Sequence, residues 1–364
     1  MSHLRIALLE PFYADSHKEW ADKLAKYSKH QFTLFTLPGK FWKWRMHGAA
    51  LTLSHQVNAS PETFDRFLVT DMLDVATFKA LLEERHRSTP IYLYMHENQL
   101  TYPWSPSDMD PTMNRDRHYA WINYTSCLVA DRVFFNSKYH LQSFINALPD
   151  FLKAFPDYKE LPTIERIREK SSVLFLGMDF SEQKISSPSN APVILWNHRW
   201  EYDKNPDLFF EGLYQLKALD LPFQLIVCGR SYPDEPSIFA QAQQDFKEKC
   251  IHWGYANSKE DYYKLLQKAD LLPVTSHQDF FGISVVEGIY HGLSPLLPKR
   301  LAYPDYISPD TFASHYYEND QAFVETLVRI VREWPSSYAN LSHEVEAFNW
   351  TNCIEPYDQT LITR

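Results

Sequence analysis

Ser276-His-Gln-Asp279-Phe-Phe-Gly282-Ile-Ser-Val-Val-Glu287-Gly288 is the stretch on which the reading of this chain turns. A β-rich apolar run, residues 270–274, leads into it, a glycine sits at its centre, and a helical apolar pattern leaves it. That is the strand, loop and helix passage of a parallel α/β sheet. Gly282 lets backbone amides approach an anion closely, and the start of the following helix favours negative charge there. Asp279 and Glu287 bracket this seat with seven residues between them. Carboxylates so placed cannot ligate phosphate without a metal, so hydrogen bonding to sugar and ribose hydroxyls is the expected chemistry. The plain alternative is two acidic residues flanking an ordinary helix start. Phe281 and Ile283, on either side of Gly282, belong to the same candidate donor loop.

Outward from this stretch, short apolar runs alternate with helical patterns along all 364 residues, the rhythm of βαβ units. Strands are predicted at 5–10, 31–36, 66–70, 90–96, 131–136 and 172–176, with a helix over 16–28 and Ser137 capping another. A second series follows at 193–196, 223–228, 250–253, 270–274 and 294–297, with helices over 207–219 and 259–268. The Ser/Pro-rich segment 186–192 separates the two series and reads as a linker. The length also suits two domains. The expected organisation is an N-terminal domain over 1–176, a C-terminal domain over 177–345, and a final segment, 346–364, packing back onto the first. The fold class is α/β, with two doubly wound Rossmann-like domains facing a cleft.

Composition narrows the function classes. The chain is 45% hydrophobic, enough for packed cores, and no window approaches the ~18 to 20 apolar residues of a membrane span. The opening MSHLRIALLEPFY lacks a signal-peptide pattern, so a cytoplasmic protein with no membrane partner is expected. Cys127, Cys228, Cys250 and Cys353 are scattered singly and read as buried thiols rather than metal ligands. A net charge of −10 argues at first against nucleic acid. Its distribution qualifies this, because residues 1–170 carry 21 Lys and Arg against 20 Asp and Glu, leaving 15 against 26 for the rest. The N-terminal part is therefore the better suited to a polyanion.

Other loops after predicted strands carry chemistry. Asn197-His-Arg199-Trp-Glu-Tyr-Asp-Lys204 puts two cations five apart at a helix start, a pair able to neutralise a diphosphate or simply a solvated turn. Gly229-Arg230 and Trp253-Gly254-Tyr255 follow further strands, and Trp253 reads equally as core. In the first half, Glu10-Pro-Phe-Tyr-Ala-Asp-Ser16-His17-Lys18 leads from strand to helix, where Ser16 is a helix cap or an acceptor contact. Tyr94-Met-His96-Glu97-Asn98-Gln99 ends a buried strand with polar groups that suit a cleft wall better than a core. His96 is a candidate for proton transfer from an acceptor hydroxyl. In Lys40-Phe-Trp42-Lys43-Trp44-Arg45 the indoles offer stacking faces and the cations suit phosphates, although the same alternation describes a half-buried element edge.

The acidic residue, seven intervening residues and Glu287 resemble the motif of the retaining glycosyltransferases of the GT-B fold, specifically glycosyltransferase family 4. The resemblance implies Asp279 on the transferred sugar, Glu287 on the nucleotide ribose, and Arg199 and Lys204 on the departing diphosphate. It implies that the loop at Gly254 and Tyr255 lines the base, and that Gly229 and Arg230 face the donor. The family's usual first Glu is Asp279 here. Such enzymes generally work without a metal, and no Asp-x-Asp motif stands in a suitable loop, so neither metal nor cofactor is expected.

The N-terminal stretches EPFY…SHK (10–18), FWKWR (41–45) and YMHENQLTYP (94–103) look like those of the tRNA-queuosine α-mannosyltransferases. That group adds mannose from GDP-mannose to queuosine in the anticodon of tRNA(Asp). The likeness covers nearly the whole chain and implies two partners, a nucleotide sugar and a tRNA carrying queuosine. Ser16, His17, Trp42, Lys43, Trp44, Arg45, Glu97 and Asn98 become its candidate acceptor residues, and His96, Arg199, Lys204 and Asp279 the catalytic set. Two competing readings stand beside it. One is a family 4-like transferase acting on a glycan, lipid or small molecule, in keeping with the acidity. The other is a non-catalytic nucleotide-sugar or RNA-binding protein, suggested by Asp279 and by the absence of glycines from the first loop.

Overall fold

The alternation of buried runs and amphipathic segments is realised as two parallel sheets. The computed structural model describes residues 3–113, 115–180, 188–232 and 235–363; of the predicted linker, 186 and 187 lie outside the described residues. The chain passes from a first compact unit to a second after Asp179 and returns to the first at Phe348.

In the first unit, β1 (Arg5–Tyr13), β2 (Gln31–Pro38), β3 (Arg66–Thr70), β4 (Ile91–Met95), β5 (Arg132–Phe135) and β6 (Ser171–Val173) form one sheet in the order β2-β1-β3-β4-β5-β6. Every pairing is parallel. β3 and β4 are buried along their whole length, which is why they read as unbroken rather than alternating patterns. The helix Trp350–Ile362 belongs to this unit. It docks on the helix Asp15–Tyr27, where Trp20 Nε1 donates to Tyr357 Oη at 3.2 Å and Tyr357 donates in turn to the Phe175 carbonyl at 2.9 Å.

The second unit holds β7 (Val193–Trp196), β8 (Gln224–Cys228), β9 (Cys250–Gly254), β10 (Leu271–Pro273), β11 (Ser294–Pro298) and β12 (Tyr316–Tyr317), in the order β12-β11-β10-β7-β8-β9 and again all parallel. Strand order reverses between β7 and β10 here, and between β1 and β3 in the first unit. At such a switch point the connections leave to opposite faces and open a crevice beyond the carboxyl ends of the strands. β12 has only two residues and carries no apolar run that sequence could have marked.

One local expectation is corrected. The first helix begins at Asp15 with Ala14 as its N-cap and no side-chain cap, so exposed Ser16 lies inside the first turn and caps nothing. The FWKWR segment is the start of a helix, one of the element edges its alternation allowed: Phe41, in left-handed backbone, precedes the helix Trp42–Ala59. Cys127, Cys228 and Cys353 are buried free thiols, and Cys250 is half-buried. Among the described residues no helix is long and apolar enough to cross a membrane.

Candidate active site

The loops after β7 and β10 flank the switch point of the second unit and carry Lys204 and Asp279. Lys204 Nζ lies 3.0 Å from Asp279 Oδ1 and 3.1 Å from an Asp203 carboxylate oxygen, and donates to the Gln278 carbonyl at 2.7 Å. The lysine is 7% exposed. Burial alone would push its pKa down, but the Asp279 and Asp203 carboxylates outweigh burial and hold it above the ordinary lysine value. Asp279 shows the mirror image. Burial would raise it, yet Lys204, His198 and a 2.5 Å hydrogen bond from Tyr303 Oη keep it below the usual carboxylate range. The result is a buried, ionised Asp–Lys pair, stable only because both partners are present.

This departs from the picture of Arg199 and Lys204 as two free cations. Arg199 is half-exposed and its guanidinium sits 3.1 Å from Glu201. Lys204 is already in contact with three oxygens. A buried ammonium needs anionic partners, and the loops supply them before any ligand arrives.

Around this pair several buried polar atoms make no hydrogen bond: His198 Nε2, Asn197 Oδ1, Trp200 Nε1 and Gln278 Nε2. His198 is held neutral, its pKa brought down by burial to about 4. Its Nδ1 meets Ser284 Oγ at 3.2 Å. Buried polar groups in folded proteins are normally satisfied, so a cluster of unsatisfied ones beside a switch point marks a place built for a ligand.

The helix Ile283–Tyr290 starts from Gly282, whose φ of +80° is a left-handed backbone that only glycine adopts without strain. The N–H groups of Ile283 and Ser284 donate to no acceptor among the described residues, leaving the anion seat open. Glu287, one turn on, accepts from Tyr262 Oη at 3.1 Å. Phe281 is buried, and its carbonyl accepts from Tyr306 Oη at 3.2 Å.

Gly229 and Gly254 knit the neighbouring loops. A Cβ on Gly229 would stand 1.9 Å from the His198 carbonyl oxygen, so the residue is required by close backbone packing. Trp200 N donates to the Arg230 carbonyl at 3.0 Å and Gly229 N to that of Gly254 at 3.2 Å. Tyr255 is 61% exposed, and the Arg230 guanidinium lies over its ring at 5.3 Å. Trp253 packs on the core with Trp200 and Phe210.

In the first unit, β1, the helix that follows it and the loops after β3 and β4 bring Glu10, His17, Asp71, His96 and Glu97 together. Glu10 is fully buried; one carboxylate oxygen accepts from Phe12 N at 2.8 Å and the other lies 3.2 Å from His17 Nδ1. The His17 and His96 rings stand 4.2 Å apart between centroids. Burial disfavours a charged His17, but Glu10, aided by Asp71 and Glu97, outweighs it and lifts the pKa to about 9. Burial, with His17 and His140 nearby, keeps His96 neutral. Asp71 Oδ1 accepts from His96 N at 2.7 Å, and burial together with the neighbouring carboxylates holds Asp71 far above the carboxylate range despite His17. Ligand atoms of Glu10, His17 and His96 lie within 4.8 Å of one another, close enough to hold a metal ion.

The remaining acceptor candidates divide. Asn98 is fully buried, and its side chain is spent on a turn, accepting from Leu100 N and Thr101 N at 3.1 and 2.9 Å. Lys43 donates to Asp108 at 2.8 Å and also pairs with Asp110, so it is not a free phosphate ligand. Trp42 packs against Tyr119 and Trp104. Arg45 Nε donates to the Pro38 carbonyl at 3.2 Å. Trp44 alone projects, 63% exposed, its indole lying against Gly48.

Sequence reasoning did not single out Glu10, Asp71, His198, Asp203, Tyr262 or Tyr303. Glu10, His198 and Asp203 stood inside quoted loops and could have been found as polar residues at strand ends. Tyr262 and Tyr303 arrive from other elements with no local signature.

Comparison with known proteins places these sites in context. Residues 5–178 match the family described as tRNA-queuosine alpha-mannosyltransferase N-terminal, and residues 178–346 match glycosyl transferases group 1. A Drosophila melanogaster protein, tRNA-queuosine alpha-mannosyltransferase, is 31% identical over 312 residues, covering 82% of this chain and 81% of its own. Among solved structures, a sucrose-phosphate synthase from Thermosynechococcus elongatus superposes with a TM-score of 0.70 at 12% identity, over 98% of both chains. A glycosyltransferase from Rickettsia africae gives 0.69 at 14% over the full length of both. The lipopolysaccharide outer core galactosyltransferase WaaB gives 0.65 at 12%, over 98% of this chain and 99% of that one. At these identities the structural likeness speaks for the fold, which is GT-B.

Proposed function

Because the chain belongs to the tRNA-queuosine alpha-mannosyltransferase family, and is thus a glycosyltransferase, we propose that it transfers mannose from GDP-mannose to queuosine in the anticodon of tRNA(Asp), with retention at the anomeric carbon. The observation that carries the donor half of this reading is the buried Lys204–Asp279 pair at a switch point, set among unsatisfied polar atoms and beside the open N–H groups of Ile283 and Ser284.

The diphosphate sits on the N-terminus of the helix Ile283–Tyr290. Arg199 leaves Glu201, and Lys204 exchanges one of its three oxygens, to meet the charge that grows as the anomeric carbon–oxygen bond to phosphate breaks. Asp279, kept ionised, accepts hydrogen bonds from the hexose hydroxyls, and Glu287 from the ribose. Tyr255 under Arg230 offers a face to the base. The acceptor hydroxyl attacks from the side that the leaving group departs, forms the new carbon–oxygen bond and passes its proton to the departing phosphate oxygen. No residue serves as covalent nucleophile in this scheme, and it needs neither metal nor cofactor. His96, neutral and beside the first-unit switch point, is the candidate hydrogen-bond partner for an acceptor hydroxyl. Trp44 supplies a stacking face to an unstacked anticodon base. The site of action is the cytoplasm.

The test is incubation with GDP-mannose and queuosine-containing tRNA, followed by nucleoside mass spectrometry. A hexose increment on queuosine with GDP-mannose, and none with UDP-glucose or UDP-galactose, is expected. An active fold that adds no hexose to authentic substrate sinks the reading.

A further inference from the structure

A hydrogen-bond chain through Asn197, Tyr262 and Glu287 runs beside the anion seat, and the donors and acceptors in it fix its direction. Asn197, the residue after β7, is buried and sends its amide nitrogen to the Ser284 carbonyl at 2.7 Å and to Tyr262 Oη at 3.1 Å. A carbonyl can only accept, so the Ser284 contact decides which end of the amide faces these partners; the opposite orientation would set oxygen against oxygen. Both amide hydrogens are thereby used, and Tyr262 Oη receives one of them. The phenol's own hydrogen then goes to Glu287 Oε2, 3.1 Å away. Burial, with the Glu287 carboxylate beside it, raises the Tyr262 pKa well above the usual phenol value, so that hydrogen stays in place. Three elements meet in this chain: the loop after β7, the helix Lys259–Lys268, which carries Tyr262, and the helix Ile283–Tyr290, which carries both Ser284 and Glu287.

Glu287 is only half-buried, so a ligand can reach it. A glutamate left to itself samples many rotamers and loses that freedom on binding. A carboxylate already held by a neighbouring hydroxyl loses less, and its plane is set before two vicinal hydroxyls arrive. We infer that Asn197 and Tyr262 are positioning residues that hold Glu287 ready for the ribose diol of the sugar nucleotide and so make the donor site select donors by that diol. This rests on the reading that places Glu287 on the ribose, and adds what orients it. The same Asn197 amide grips Ser284, whose N–H belongs to the anion seat. One side chain therefore ties the diphosphate end of the site to the ribose end and fixes the spacing between them. A donor with a diphosphate but no diol would fill the seat and leave the prepared carboxylate without its partners, and selection against such an analogue is strongest where a site's buried polar groups are left unpaired.

The experiment is calorimetric titration of the full chain with GDP and with 2′,3′-dideoxy-GDP, which keeps the base and diphosphate but lacks the diol. Wild-type protein is expected to bind GDP roughly tenfold to a hundredfold more tightly than the dideoxy analogue, the range of a hydrogen bond to a charged group. Tyr262→Phe removes one hydroxyl and should weaken GDP while leaving the analogue where it is, so that the ratio falls by about threefold or more. A tyrosine that only supports the fold would weaken both ligands alike. In a Glu287→Ala background the ratio should already lie near unity, and adding Tyr262→Phe should change it no further, because Tyr262 acts through Glu287. Asn197→Ala releases the phenol without removing it and should also lower the ratio, which gives the same comparison if Tyr262→Phe does not fold. A ratio that matches wild type in the folded variant overturns the inference and leaves Glu287 on the ribose. Equal binding of GDP and the dideoxy analogue by wild-type protein overturns the inference together with the ribose assignment of Glu287. Absence of any GDP binding by wild-type protein overturns both the inference and the donor reading beneath it.

Discussion

Lys204 and Asp279, 75 positions apart in the chain, meet at 3.0 Å with the lysine almost wholly buried. Each is ionised because the other is present, and Tyr303 and the Gln278 carbonyl fill further positions around them. The pair is a folding contact between the loops after β7 and β10 as much as a candidate catalytic feature. A donor molecule therefore meets a prepared charge arrangement rather than two mobile side chains.

Removing one partner should cost more than removing charge gently. Lys204→Ala strands two carboxylates in a buried site and is expected to destabilise the protein by about 3–5 kcal/mol, the usual cost of breaking a buried pair. Asp279→Asn keeps a hydrogen-bonding oxygen for Tyr303 and should melt closer to wild type. Its transfer rate should still fall by roughly a hundredfold or more, in the range seen when one transition-state contact is removed. Urea denaturation read beside steady-state transfer separates the two effects. A fully stable, fully active Asp279→Asn protein would remove Asp279 from the site.

Gly229→Ala tests whether the loops after β7 and β8 need their close approach. The new methyl would stand 1.9 Å from the His198 carbonyl oxygen, and backbone cannot rotate away as a side chain end can. Loss of roughly 2–4 kcal/mol of stability, within the range for overpacking and strain, is expected together with a raised KM for the sugar nucleotide. Gly254→Ala is the informative contrast. Nothing lies within 4 Å of its Cβ, but its φ of +122° strains any larger residue, so a smaller loss of about 1–3 kcal/mol is expected, with the packing unchanged.

Eleven of the twelve strands among the described residues were legible in sequence, the inner ones such as β3 and β4 because a parallel strand buried on both faces leaves an unbroken apolar run bounded by turn residues. β12 left no such trace. The loop after β10 was legible for a similar reason: its glycine, helix start and spaced acids lie within one continuous stretch. What sequence could not give was the pairing of charges. Lys43 read as a phosphate ligand until Asp108 and Asp110 arrived from a distant loop, and Lys204 read as a free cation until Asp279 and Asp203 filled its shell. Asn98 read as a cleft residue because a local turn bond to Thr101 has no strong sequence mark. The buried cluster of Glu10, His17, Asp71 and His96 escaped notice since its members come from β1, the helix after it and the ends of β3 and β4, and only the strand order brings them together.

That cluster makes stability fall as pH rises. His17 has a folded pKa of about 9 against 6.5 in an unfolded chain, so its contribution is complete below pH 6.5 and lost as pH climbs through 9. Asp71 is displaced upward by burial, so the folded state retains a proton that the unfolded state has released above its ordinary pKa of 3.8, and this too lowers stability with rising pH. The two effects share a sign. Urea midpoints should drop between pH 6.5 and 9.5, and His17→Gln should flatten the slope. A midpoint that rises over this window would show that His17 is not the charged partner of Glu10.

The first turn of the helix Trp42–Ala59 offers a test of the RNA face in which stability and binding separate. Trp42 packs on Tyr119 and Trp104 next to buried Met46 and Met72, so Trp42→Ala should open a cavity and cost about 2–4 kcal/mol. Trp44 is 63% exposed. Trp44→Ala should leave the melting temperature nearly unchanged. If the indole stacks on a base, its loss should weaken tRNA binding by roughly fivefold to a hundredfold, the range for one base–aromatic stack, across queuosine and guanine tRNAs alike. It should not alter the KM for the sugar nucleotide. Fluorescence anisotropy with labelled tRNA at two salt concentrations is the measurement, because stacking loss lowers affinity at both salts by a similar factor whereas loss of a phosphate contact also changes the salt slope. An unchanged tRNA affinity for Trp44→Ala would take this helix out of the acceptor surface and leave the loops after β1, β3 and β4 to recognise the RNA alone.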